Sequence, residues 1–276
     1  WLEPSLTALC DLHTAVFRHG RVILAANVIS LLRIDPSWTK RTLLPLFSWE
    51  NDVEARSAWA GFLWSPRLYK PLFDLFKMDF LATANHLNRL VAHSNQYISV
   101  LTYVALDMTE GFTDSELSSA FNSLSNEGLE TVLQALTQAL MGAGEQREEY
   151  WTNRIAPFWI TFWPKSTNRI TPRISELLVQ LILSAGTEFP AAWKLVKAWI
   201  HPVEHLHYPL YMLVKSDICS TNPEEALDLL SALVDDQEFP PDELKTCLEQ
   251  IRISDAQLEH NQQFSRINLF LRRKRP

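Results

Sequence analysis

Thr171-Pro-Arg-Ile-Ser-Glu-Leu-Leu-Val-Gln-Leu-Ile-Leu-Ser-Ala-Gly186 sets how the rest of the chain is read. Thr171 carries a hydroxyl that can accept an amide from the first helical turn, and Pro172 fills the first helical position, where a missing N–H costs nothing. Behind them Ile174, Leu177, Leu178, Leu181 and Ile182 recur at the three-and-four spacing that lines one stripe of a helix with apolar side chains. Gly186 marks the stop, since glycine adopts the left-handed backbone of a helix end without a Cβ clash. The stretch predicts a helix with one buried face.

The same grammar recurs in both directions. Asn222-Pro-Glu-Glu225, Asp35-Pro36, Thr113-Asp-Ser-Glu116, residues 51–54 and residues 254–257 all read as helix starts. Leu129, Val132, Leu133, Leu136 and Leu140 form a second stripe; Gly142, Gly144 and Pro240-Pro241 read as stops. Short connections favour antiparallel pairs, such as 223–235 with 242–251. Residues 97–106 are β-branched enough for a strand, yet helical neighbours and missing hairpin turns favour a buried helix. The expected fold is all-α: irregular stacked helical hairpins, arranged as a HEAT-like α-solenoid or a multi-helix bundle. No recurring consensus supports a tetratricopeptide or ankyrin array. A soft boundary is expected at 107–113, dividing residues 1–110 from 111–276 unless one helical domain runs through; the loop at 164–172 is the second candidate.

Composition narrows the chemistry. Of 276 residues, 47% are hydrophobic, which excludes wholesale disorder, and only 7 are glycine. That glycine share lies well below the usual ~7% and argues against Gly-rich phosphate loops and dinucleotide-binding turns. Cys10, Cys219 and Cys247 are odd in number and form no Cys-x-x-Cys, so they read as apolar fillers in a reducing cytoplasm. Residues 96–106, the longest central run without a charge or breaker, fall far short of a membrane span, and no membrane role is expected. Trp1 with no leader behind it reads as the start of a piece of a longer protein. Residues 222–259 hold eleven acids against two bases, whereas Arg272-Arg-Lys-Arg275 is a short basic tail. With a net charge of −7, nucleic acid is a poor partner, and the tail reads as cations suited to a helix C-terminus.

One cluster has metal-ligand spacing: His201-Pro-Val-Glu204-His205-Leu-His207. His-x-x-Glu-His is the inverted zincin pattern, in which two histidines one helical turn apart bind zinc and the glutamate activates water. Pro202 confines the stretch to a first helical turn and Pro209 is expected to block continuation, so a loop between helices is the simpler reading. A metal-dependent hydrolase using His201, Glu204 and His205 stands as the alternative to a non-catalytic chain. No Gly-x-Ser-x-Gly elbow is present, and Glu148-Glu149 and Asp235-Asp236 read as solvated faces. No cofactor is expected.

Aromatics are the distinctive feature. Residues 150–163 place Tyr150, Trp151, Phe158, Trp159, Phe162 and Trp163 at helical spacing, interrupted by Pro157; a second group comprises Trp49, Trp59, Phe62 and Trp64. Filling the core is their default role. The functional alternative is an exposed groove, rimmed by Arg154 and Lys165, that binds a protein through Tyr150, Trp151, Arg154, Trp159 and Trp163, with Trp59 and Trp64 in support. Gly61, inside a helical stretch between two tryptophans, is expected to permit close helix packing or to open space beside the rings.

Two stretches taken together, Leu43-Leu-Pro-Leu-Phe-Ser-Trp-Glu-Asn-Asp-Val-Glu-Ala-Arg-Ser-Ala-Trp-Ala-Gly-Phe-Leu-Trp-Ser-Pro-Arg-Leu68 and Gly144-Glu-Gln-Arg-Glu-Glu-Tyr-Trp-Thr-Asn-Arg-Ile-Ala-Pro-Phe-Trp-Ile-Thr-Phe-Trp-Pro-Lys-Ser166, carry a resemblance. They resemble the helical region that follows a sirtuin-like domain in large bacterial proteins, some of them linked to anti-phage defence. The resemblance spans roughly residues 40–259 and is one of texture, without a catalytic motif. It implies an upstream module that hydrolyses NAD and a role for this part in sensing, scaffolding or restraining it. No functional residues transfer, because that region has no characterised ones. The expected function is a non-enzymatic interaction, sensor or assembly domain whose partner is its own upstream domain, a second copy or a trigger protein.

Overall fold

The computed structural model describes residues 3–203, 205–234 and 240–272. It is 81% helical, with no strand among the described residues: an all-α, multi-helix fold. The chain divides into two compact units, Trp1–Val132 with Thr161–Pro164, and Leu133–Ile160 with Lys165–Pro276. The division falls inside the continuous helix Asn126–Gly142. The loop at 107–113, where the sequence suggested a boundary, instead lies within the first unit, ahead of the helix Asp114–Asn122.

Several of the helix starts read from the sequence are capped as expected. Asn51 Oδ1 accepts the Glu54 amide at 3.3 Å, and Thr171 Oγ1 accepts that of Ile174 at 3.1 Å. Thr113 and Glu116 exchange both bonds of a capping box, at 3.2 and 2.8 Å. Asn222 departs from expectation: its side-chain amide donates to Thr221 Oγ1 at 2.9 Å, and no side chain caps the helix Pro223–Leu233. Asp255, not Ser254, caps the turn at 256–260, because the helix Asp242–Ser254 runs to that serine.

In the first unit, Arg18–Ala26 packs against Asp52–Leu63 at a crossing made possible by Gly61, where a Cβ would collide with the Val22 carbonyl. Close packing is thus the purpose of this glycine. Arg21 is 1% exposed. Its guanidinium makes a two-pronged pair with Glu54 at 2.7 and 2.9 Å, and Nη1 donates to the carbonyls of Leu9, Asp11 and Thr14. Burial pushes the Glu54 carboxyl up, but the hydrogen bonds from Arg21 and Arg18 prevail and hold it below the ordinary glutamate value. Around this helix pair the core is aromatic. Trp59 meets Phe47 edge-on at 5.0 Å and stacks on Phe76 at 5.2 Å, and Phe73 meets Phe80 at 4.9 Å. The polar tips are satisfied: Trp59 Nε1 donates to the Phe47 carbonyl and the Tyr97 hydroxyl to that of Phe80.

In the second unit, the helix Pro172–Leu183 buries residues on nearly every side. It packs against Phe189–Val196 and His207–Lys215, while Ile218–Thr221 and Pro223–Leu233 close on Asp242–Ser254. Cys219 and Cys247 lie between the last pair, fully buried. The Cys219 thiol and burial push the Cys247 thiol strongly up, and burial raises Cys10, in the first unit, to about 11. All three thiols are free and buried, the placement expected of apolar fillers.

Two turns escaped the sequence reading. Thr39–Leu43 and Trp151–Ile155 are π-helical, with the amides of Leu44 and Ala156 donating to carbonyls five residues back. Each precedes a proline by two residues, Pro45 and Pro157. A proline ring crowds the carbonyl four residues before it, here that of Arg41 or Asn153, and a widened turn relieves the clash. Pro157 therefore bends the bonding pattern without ending the helical course.

Candidate functional site

Residues 150–163 form one inward stripe. Trp151, Ile155, Phe158, Trp159, Phe162 and Trp163 are buried, whereas Thr152, Asn153, Arg154, Pro157, Ile160 and Thr161 are exposed. The expected aromatic groove is thereby corrected: Trp151, Trp159 and Trp163 fill core, Tyr150 is half-buried, and Arg154 is exposed beside no exposed tryptophan of this stretch. Trp159 meets Trp199 edge-on at 5.9 Å. Lys165 donates to the Trp159 carbonyl at 2.7 Å, and burial lowers its pKa.

The other group splits. Trp59 is 0% exposed and Trp64, one residue beyond the same helix, is 80% exposed. Five residues at about 100° each turn the second ring some 140° from the first, which takes it off the buried stripe. Beside it the His93 ring stands nearly perpendicular, 6.4 Å between centroids. His93 belongs to the short turn Val91–His93, and its Nδ1 is buried without a hydrogen-bond partner among the described residues. Val91 opens that turn at φ +41° and is 77% exposed. A β-branched residue rarely adopts that backbone, which costs about 1–3 kcal/mol. The exposed indole thus stands beside the His93 ring, and the strained Val91 lies two residues before that histidine in the same short turn of the first unit.

The histidine cluster lacks the helical geometry its spacing suggests. Glu204 lies outside the described residues. His201–Val203 and His205–Leu206 are non-helical, so His201 and His205 do not sit one turn apart on a helix. The following helix, His207–Lys215, takes Pro209 in its first turn, so this proline opens a helix where the sequence suggested a block. His207 Nδ1 lies 3.5 Å from Glu243 Oε2, and the His201 amide donates to Ser175 Oγ at 3.0 Å. Among the described residues no group of three His, Cys, Asp or Glu side chains converges to hold a metal.

The second unit also carries a cleft of about 720 Å³ walled by Lys194, Lys197, Glu224, Glu225 and Asp228. Its central acid, Asp228, is partnered from within. Asp228 accepts Trp193 Nε1 at 2.9 Å and Gln263 Nε2 at 3.0 Å, with Lys197 at 3.9 Å. Such a network fixes helices against each other. No single described helix is long and apolar enough to cross a membrane; the pair Ala15–Ala26 and Val28–Ile34 passes by composition but is bent by 74°. Of the basic tail, Arg272 is described and the rest lies outside the described residues, as does Asp235-Asp236. Comparison of the chain with family models, with curated proteins and with solved structures finds no match.

Proposed function

We propose that this chain is a non-catalytic helical module that works by contact with another protein, and that Trp64 is the anchor of that contact. The observation that carries the reading is the 80% exposure of Trp64 on a chain that buries Trp38, Trp59, Trp151, Trp159, Trp163 and Trp193. Indole is the side chain with most to gain from a pocket, and anchors of this kind dominate the energy of protein contacts. The strained Val91 and the unbonded His93 Nδ1 support it, because strain and unsatisfied polar groups gather where a ligand will complete the structure.

In its fuller form the partner is the chain's own upstream module, an NAD-hydrolysing sirtuin-like domain of a bacterial cytoplasmic protein, which this part restrains or scaffolds. Support for that form comes from the resemblance of the segments 43–68 and 144–166. The test is titration calorimetry of the chain against the remainder of its own protein, comparing wild type with Trp64→Ser. The expected result is at least a tenfold loss of affinity with unchanged helicity by circular dichroism, equivalent to about 1.4 kcal/mol. Equal affinities would overturn the assignment.

A further inference from the structure

We propose that the second unit also carries a small-molecule site, a groove for a phosphate ester with a hydroxylated body, in which Arg147 and Lys215 hold the phosphate. Two adjoining clefts of about 570 and 490 Å³ share Arg147, Leu183, Lys215 and Ser216 in their walls, and so form one groove. No Asp or Glu lines either one. That is unusual on a chain with 32 acids against 25 bases, and it contrasts with the cleft at Asp228, where acids and lysines face each other.

Lys215 is presented without a carboxylate partner among the described residues, and Arg147 is paired along one edge only. The Lys215 ammonium stands 5.6 Å from the centroid of the Tyr211 ring. Arg147 gives Nε to Glu148 Oε1 at 3.1 Å, and its two terminal nitrogens make no hydrogen bond among the described residues. The same carboxylate oxygen accepts the Thr187 amide at 3.4 Å, which ties the pair to the backbone of the groove wall. Gly186 makes this arrangement possible: it sits at φ +63°, and a Cβ there would strike the Glu148 carboxylate and crowd Arg147. Glu148 therefore orients Arg147 and does not itself line the groove. Guanidinium edges recognise phosphate through paired N–H donors, and an ammonium adds a point charge on the other side.

The remaining wall specifies the body of the ligand. Ser184 and Ser216 spend their hydroxyl hydrogens on the carbonyls of Gln180 and Leu213, at 2.9 and 3.2 Å. Towards the groove they offer lone pairs, which call for donors on the ligand, as sugar hydroxyls provide. Leu183, Met141, Met212 and Ile218 supply an apolar surface for a ring. Phosphate, hydroxyl donors and a ring combine in a nucleoside monophosphate, and a sugar phosphate has the first two.

Titration calorimetry with adenosine monophosphate, glucose 6-phosphate and inorganic phosphate tests the site. At least one ester is expected to bind with a submillimolar Kd and more tightly than inorganic phosphate. The double variant Arg147→Gln/Lys215→Gln, both side chains lying at the surface, is expected to fold normally by circular dichroism and to weaken the ester at least tenfold. Raising the salt concentration is expected to weaken it as well. Absence of binding by either ester at millimolar concentration, or equal affinity for the double variant, would overturn the proposal. Trp64→Ser leaves this binding unchanged, so failure of the groove and failure of the protein contact are read separately.

Discussion

Residues 59–64 and residues 151–163 both carry closely spaced tryptophans, and they use them differently. In the second stretch Trp151, Trp159 and Trp163 follow the helical stripe and all turn inward. In the first, Trp59 stays on the stripe and becomes the hub of a ring cluster, while Trp64 leaves it and faces solvent. Aromatic density does not distinguish core from contact surface; angular position on the helix does. The same indole is structural at one position and free for binding five residues later.

Truncation should expose this difference most sharply. Trp59→Ala removes the centre of the Phe47–Phe76 cluster and is expected to cost about 3–5 kcal/mol in urea unfolding, with Trp159→Ala on the same scale in the second unit. A cost below about 1 kcal/mol for either would break the assignment of that ring to a core. Nearly as large an effect is expected from Glu54→Gln, on the helix that carries Trp59 and Trp64. It leaves the Arg21 charge buried with half its partner gone, at about 3 kcal/mol. The pH dependence follows from the direction of the shift. Because Glu54 binds its proton less readily when folded, its contribution is present above the ordinary value of 4.5 and is lost as pH falls through the lower folded-state value. The gap between wild type and variant, followed by urea titration at a series of pH values, should narrow on acidification below 4.5; a constant gap would mean that Glu54 is not a charged partner.

Local signals made much of this molecule legible. Thr171, Thr113 and Asn51 cap because their oxygens need only reach the next turn, which sequence spacing guarantees. Asn222 has the same chemistry, but Thr221 beside it offers a competing acceptor, and spacing cannot weigh two bonds of similar strength. One crossing between the units, at Pro164, falls at the edge of the 164–172 loop that the sequence offers as a second candidate, whereas the crossing at Val132 is invisible because it cuts a continuous helix whose stripe of leucines never changes character. The sequence offers Trp64 with Trp59 as a supporting surface candidate, but local spacing does not separate the exposed ring from the buried one, since that depends on where Leu63 closes the helix. The groove was beyond reach: Arg147 and Lys215 meet across 68 residues of chain, joined by packing that no local pattern encodes.

Gly61→Ala probes the scaffold that separates the two tryptophans. Its new methyl would meet the Val22 backbone, which cannot rotate away as a flexible side chain would, so the helices Arg18–Ala26 and Asp52–Leu63 must part. Overpacking of this kind costs about 1–3 kcal/mol. Thermal unfolding measures it, and an unchanged or raised Tm would show that the crossing is looser than the contact with Val22 implies.

The smallest expected effect is the most discriminating. Trp64→Ala removes the same side-chain volume as Trp59→Ala, yet the ring it deletes is 80% exposed and its change in unfolding free energy should lie within about 0.5 kcal/mol of zero. Urea unfolding checks this against Trp59→Ala in the same experiment. Near-neutral Trp64→Ala beside costly Trp59→Ala means that the indole at 64 contributes little to folding and is free to be spent on a partner. A loss of several kcal/mol at Trp64 would instead make it a structural ring packed on His93 and Val91, and the comparison between the two stretches would collapse into one kind of aromatic face.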